Sequence, residues 1–179
     1  WFYVQFCEEQ AHARIFMNYI NSRDAKVELK PIDEVPTTWD SALDMFKETL
    51  NHERKVTALI NNLAFIANED RDFASINRIN WFIDEQVEEE ESARDMIQAF
   101  EAVEGNKYGI YMLDKELATR TYTDPSPLQT GAECPLPSPG RGFCAEDFSA
   151  QYLYIQVPYV CRTGSVQPHI RRLLLSPPQ

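Results

Sequence analysis

Phe2-Tyr3-Val4-Gln5-Phe6-Cys7-Glu8-Glu9-Gln10-Ala11-His12-Ala13-Arg14-Ile15-Phe16 sets two glutamates and a histidine in the middle of an otherwise apolar helical run. Between residues 1 and 20 the apolar positions Phe2, Phe6, Phe16 and Ile20, with Ala13 between them, keep the 3–4 spacing of one helix face. Glu9 and His12 lie on that stripe, three residues apart, so their side chains project side by side into whatever the helix packs against. Burying an ionised carboxylate costs several kcal/mol unless something offsets it, and a cation that also takes the imidazole does so. A Glu-x-x-His pair aimed into a helix bundle is one arrangement that ligates iron or manganese from inside a core. The competing reading is a partly exposed polar patch, and the other helices decide between the two.

Working outward, the opening helix is predicted to end near Asn21-Ser22-Arg23-Asp24. Residues 24–38 lack a helical period and are long for a link between neighbouring antiparallel helices, which takes two to eight residues. A crossover joining two parallel helices accounts for that length. Thr38 is the expected N-cap of the next helix, whose seam reads Trp39, Leu43, Phe46, Leu50, Glu53, Thr57, Ile60, Ala64, Ala67. Glu53 is the carboxylate at the middle of that stripe; buried and unpaired it would destabilise the fold, so it must pair or bind something. His52, next to it, is expected at the surface.

A short turn, Asn68-Glu69-Asp70-Arg71, predicts an antiparallel third helix over residues 72–103, stopped by Gly105-Asn106. Its seam is Ile76, Ile79, Ile83, Gln86, Glu89, Ala93, Ile97, Phe100, again polar at its centre. Of the run Glu85-Gln86-Val87-Glu88-Glu89-Glu90-Glu91, the seam position favours Gln86 and Glu89 as inward, with Glu85 and Glu88 beside them. Glu90 and Glu91 read as a solvated face. Polar groups at matching height on three helices point to a shared site, and carboxylates, one imidazole and one amide suit iron, manganese or magnesium better than structural zinc or copper.

Charge divides the chain the same way. Residues 1–119 carry 24 acidic and 12 basic side chains, and residues 120–179 carry 4 and 5. Two of the eleven prolines, Pro31 and Pro36, precede residue 120. The first part therefore reads as an acidic helical domain, which argues against nucleic acid as a partner and is compatible with cations. No run of 18 or more apolar residues marks a membrane span. Cys7, Cys134, Cys144 and Cys161 have neither disulfide-framework nor zinc spacing, so a reducing, cytoplasmic setting is the expectation. The chain opens inside a helical pattern with no N-cap, which predicts that sequence precedes Trp1. Residues 108–119 are predicted as a short helix packed at the bundle end. Residues 120–179, Pro-, Gly- and Ser-rich, read as an irregular, disordered or non-native tail. A strand hairpin at Tyr152-Leu153-Tyr154-Ile155-Gln156-Val157 is the alternative there, and His169, Arg171 and Arg172 are surface candidates.

Three clusters, Glu8-Glu9-x-x-His12, Asn51-His52-Glu53 and Trp81-Phe82-x-x-Glu85-Gln86-x-Glu88-Glu89-Glu90, together resemble bacterial non-haem ferritin. Gly109-Ile110-Tyr111-x-x-Asp114-Lys115-Glu116-Leu117 resembles the short end helix of that family, and the match is collinear over residues 1–119. The resemblance implies an all-α fold: a ferritin-like four-helix bundle lacking its first helix here, with three long helices, a short C-terminal one, and the tail. It implies iron storage: a ferroxidase with a di-iron centre, with O2 or H2O2 as oxidant, and a homo-oligomeric shell of 24 subunits holding ferric mineral. By position, His12 would ligate the first iron, Glu9 bridge both, and Glu53 hold the second. Glu89 would bind the second iron and reach a third. Gln86 would hydrogen-bond an oxygen-derived ligand, and Glu8, Glu85 and Glu88 match the third-iron site. The family's first helix supplies one more carboxylate, so these residues alone are expected to be inactive and to leave an apolar groove open. Gln86-x-x-Glu89 replaces the second Glu-x-x-His of bacterioferritins, rubrerythrins and ribonucleotide reductase small subunits, and no haem ligand is apparent. A non-catalytic, mineral-nucleating shell subunit and another soluble di-iron oxidase are the alternatives.

Overall fold

A computed structural model describes residues 1–29, 31 and 36–129. Four α-helices follow in order: α1 Phe2–Ser22, α2 Ala42–Glu69, α3 Phe73–Ala102 and α4 Lys107–Leu117, with a single 3-10 turn at Ser126–Leu128. None of them is long and apolar enough to cross a membrane.

Local chemistry sets the helix ends. α2 begins at Ser41, whose Oγ accepts the Asp44 amide at 3.1 Å, so the cap lies three residues beyond the expected Thr38. Trp39, read as the first seam residue, accordingly precedes the helix and is half-buried. Asp72 caps α3 by accepting the Ser75 amide at 3.2 Å. The α2–α3 turn passes through Arg71 at φ 54°, a left-handed conformation unusual for a side chain with a Cβ. Asn106 caps α4, taking the amides of Tyr108 and Gly109. Gly109 sits so close to Val103 that a Cβ would lie 2.8 Å from the valine Cβ, which makes glycine a steric requirement at this corner.

Side-chain pairs fix the topology. Phe46 meets Phe100 and Gln86 meets Glu53, so α2 and α3 run antiparallel. Gln5 meets Glu89, Phe16 stacks on Phe82 at 4.2 Å, and Tyr19 bonds Ser75, so α1 and α3 are antiparallel too. α1 and α2 are therefore parallel, as the crossover length predicts. Ile32, counted in that crossover, lies outside the described residues. The apolar core joins Ile15, Phe16, Val56, Ile60, Leu63, Ala67, Ile79 and Phe82 at one end of the three rods. α4 buries no residue and leaves Tyr108, Ile110, Tyr111 and Met112 exposed.

The 119/120 boundary drawn from composition is not where contacts with the bundle stop. Arg120 reaches Glu8, Asp124 pairs with Arg14, and Leu128 packs against the core, so residues 120–128 run alongside α1. The predicted tail features beyond residue 129, including residues 152–157, His169, Arg171 and Arg172, lie outside the described residues.

Candidate metal centre

Each of the three long helices turns polar at the level where its apolar stripe is interrupted. Glu9, His12, Glu53, Gln86 and Glu89 are all buried, between 2% and 7% exposed. One ligand atom each from Glu9, His12 and Glu89 falls within 4.8 Å of the others. His12 Nδ1 stands 3.5 Å from Glu9 Oε2, and its Nε2 stands 3.5 Å from Glu85 Oε1. Trp81 and Phe82 meet the imidazole edge-on, closing it off from the apolar side. Glu53 stands outside that group but its charge acts on Glu89, and Gln86 Nε2 donates to its Oε2 at 3.2 Å.

The electrostatics follow from three carboxylates in a confined space. Burial, and then the charges of Glu9 and Glu53, push the Glu89 carboxyl well above the ordinary range, against the Gln5 hydrogen bond and His12. Burial opposes the charged form of His12, but its hydrogen bonds to Glu85 and Glu9 and the charges of Glu9 and Glu89 prevail, holding it well above the ordinary histidine value. The ensemble keeps protons where a multivalent cation would otherwise neutralise the charge.

The outer carboxylates differ. Glu8 is part-buried and pairs with Arg120 at 2.8 Å; burial raises its carboxyl, with Arg120 acting in the opposite sense. Glu85 is one-quarter exposed and turned to His12, whereas Glu88 is exposed. Glu8 and Glu85 thus flank His12 without joining the close three-residue group, and Glu88 is not part of that group either.

Residues 1–103 match the ferritin-like domain family. The chain belongs to that family. This ferritin-like chain is 37% identical over 123 residues to a bacterial non-heme ferritin of Staphylococcus aureus (strain MRSA252), covering 69% of the chain and 74% of that protein. To the bacterial non-heme ferritin of Staphylococcus haemolyticus (strain JCSC1435) it is 38% identical over 124 residues, covering 69% and 75%. Among solved structures it is similar to the open pore ferritin of the hyperthermophilic archaeon Archaeoglobus fulgidus, with a TM-score of 0.65, 37% identity, and 66% and 73% of the two chains covered.

Four residues around the ferritin-like centre escape a reading of the sequence. Gln5 donates to Glu89 Oε2 at 2.8 Å and to Glu9 Oε1 at 3.3 Å; it lies one helical turn before Glu9, and that spacing was the available signal. His52, expected at the surface, is 5% exposed. α2 buries a second stripe, Thr49, His52, Val56 and Leu63, beside the one through Glu53, because it is covered over a broad face. Glu90, expected to be solvated, is only part-exposed: Thr57 Oγ1 donates to it at 2.7 Å and Arg94 pairs with it at 3.3 Å. These groups line a cleft of about 270 Å³ between α2 and α3 that reaches Gln86. Arg120, 112 residues from Glu8 in sequence, has no local signature at all.

Proposed function

We propose that this protein takes up Fe(II), oxidises it at a paired iron site and stores the ferric product within a homo-oligomeric ferritin shell. The observation that carries the reading is the convergence of Glu9, His12 and Glu89 ligand atoms within 4.8 Å, with the charge of Glu53 acting on Glu89. The named relatives, non-heme ferritins at 37–38% identity, support it.

In this proposal iron is the substrate. His12 and Glu9 take the first ion, Glu9 bridges, and Glu53 and Glu89 take the second. Two metal ions about 3.5–4 Å apart can act jointly on one oxidant, with carboxylates neutralising the charge that develops. Each Fe(II) gives up one electron, so a pair delivers two together to O2 or peroxide. Gln86, held on Glu53, offers its amide to the oxygen-derived species, and Glu8, Glu85 and Glu88 pass ions at the rim. The resemblance assigns the first iron one more carboxylate from a further helix of the family.

Stopped-flow absorbance after mixing Fe(II) with oxygen tests this. A fast phase of about two Fe(II) per subunit, lost in Glu9→Ala and in Glu53→Ala, is expected; unchanged rates in both variants would sink the ferroxidase assignment. The three-residue size of the close ligand group favours one second reading, a subunit whose carboxylates nucleate mineral without rapid oxidation. Slow mineral growth with no fast phase in the unaltered protein would select it.

A further inference from the structure

Arg120 makes three simultaneous contacts beside the acidic cluster. Its Nη2 donates to Glu8 Oε2 at 2.8 Å, its Nη1 donates to Gln5 Oε1 at 3.2 Å, and its guanidinium plane lies 4.9 Å from the Trp1 ring centroid. Taking Gln5 Oε1 leaves the Gln5 amide nitrogen to face Glu9 and Glu89, which fixes that amide's orientation. The guanidinium is thus a cation already seated on Glu8, the residue next to Glu9 on α1.

We propose that Arg120 is a built-in counter-cation on Glu8, so that an ion at Glu8 must displace the guanidinium and Glu8 fills after the inner carboxylates. This rests on the ferritin metal-centre reading above and adds an order of filling to it. Glu9, His12, Glu53 and Glu89 have no arginine or lysine ion pair among the described residues, whereas Glu8 does. Glu8 cannot give its Oε2 both to Arg120 at hydrogen-bond distance and to an ion in the same place. The displaced guanidinium keeps two holds, Gln5 Oε1 and the Trp1 face, so it can shift aside without leaving the bundle. Such a pair, partly exposed on both sides, is of modest strength and suited to exchange.

Mn(II) binding to the metal-free protein, followed by the loss of the free-ion electron paramagnetic resonance signal, tests the exchange. The weakest class of Mn(II) sites should tighten about fivefold in Arg120→Gln. Arg120→Met, which keeps the apolar stem against Trp1, should do the same, so the test stands if one of the two fails to fold. Arg120→Lys retains the charge and should stay near the unaltered protein. The gain should vanish in a Glu8→Gln background, since no carboxylate is left to release. No gain in either neutral variant, or a gain that persists without Glu8, overturns the proposal. Absence of any Glu9- and Glu53-dependent Mn(II) binding in the unaltered protein would instead overturn the metal-centre reading on which it rests.

Discussion

Gln5 and Glu89 are 84 residues apart in sequence, and the Gln5 amide donates to the Glu89 carboxylate at 2.8 Å in the interior of the bundle. A neutral donor there partly satisfies an acid that its two neighbours repel. Gln5→Leu removes the donor while preserving most of the volume. The metal-free protein is expected to lose about 1–3 kcal/mol of stability, read from urea denaturation, and less of that loss should remain with saturating Mn(II), which satisfies the carboxylate itself.

Glu89 itself should show the opposite balance. It is 7% exposed and faces Glu9 and Glu53. Glu89→Gln keeps the shape and removes the like-charge strain, so the metal-free protein should gain on the order of 1 kcal/mol at pH 8. The same variant should lose most of the upward shift in melting temperature that Mn(II) gives the parent. A metal-free variant less stable than the parent at pH 8 would contradict this account of the site.

Both shifted groups give the same sign of pH dependence. Glu89 and His12 titrate above their ordinary values of 4.5 and 6.5, so the folded metal-free protein binds more protons than the unfolded chain. The stability they supply is full below the ordinary values and is lost as pH rises through the raised ones. Melting temperature in chelator should therefore fall from this pair as pH climbs above 4.5 for Glu89 and above 6.5 for His12. Mn(II) affinity should rise over the same window, with protons released on binding. Parallel melts and proton-release titrations check both directions, using His12→Gln to isolate the histidine share.

Phe82 links the apolar core to the polar centre. It is 2% exposed, stacks on Phe16 and meets the His12 ring at 5.8 Å. Phe82→Ala should cost about 3–5 kcal/mol, read from denaturant melts. It should also weaken Mn(II) binding by freeing the imidazole from its packed orientation, whereas Phe65→Ala, at an exposed site on α2, should change neither.

The sequence is most legible where the period of an apolar stripe is interrupted. Glu9, His12, Glu53, Gln86 and Glu89 each stand at such an interruption, and all five are buried. The α2–α3 turn and the parallel crossover follow from loop length alone. Less legible are the features set by three-dimensional neighbours. His52 is buried because α2 is covered over more than one stripe, which no single-helix pattern encodes. Glu90 is held by Thr57 from another helix, and Arg120 returns to Glu8 from beyond α4. The Ser41 cap, by contrast, was available in the sequence: Ser41 with Asp44 three residues on is a stronger start signal than Thr38.

α3 is antiparallel to both other long rods and supplies partners to each, Glu89 to Gln5 on one side and Gln86 to Glu53 on the other. Each residue added to a helix advances it about 1.5 Å and turns it about 100°. One residue inserted between Phe82 and Gln86 would leave Phe82 seated while swinging Gln86 and Glu89 away from both neighbours. The spacing from ring to amide to acid along this rod therefore works as a vernier, on which the geometry of the buried polar centre and core register are read off a single scale.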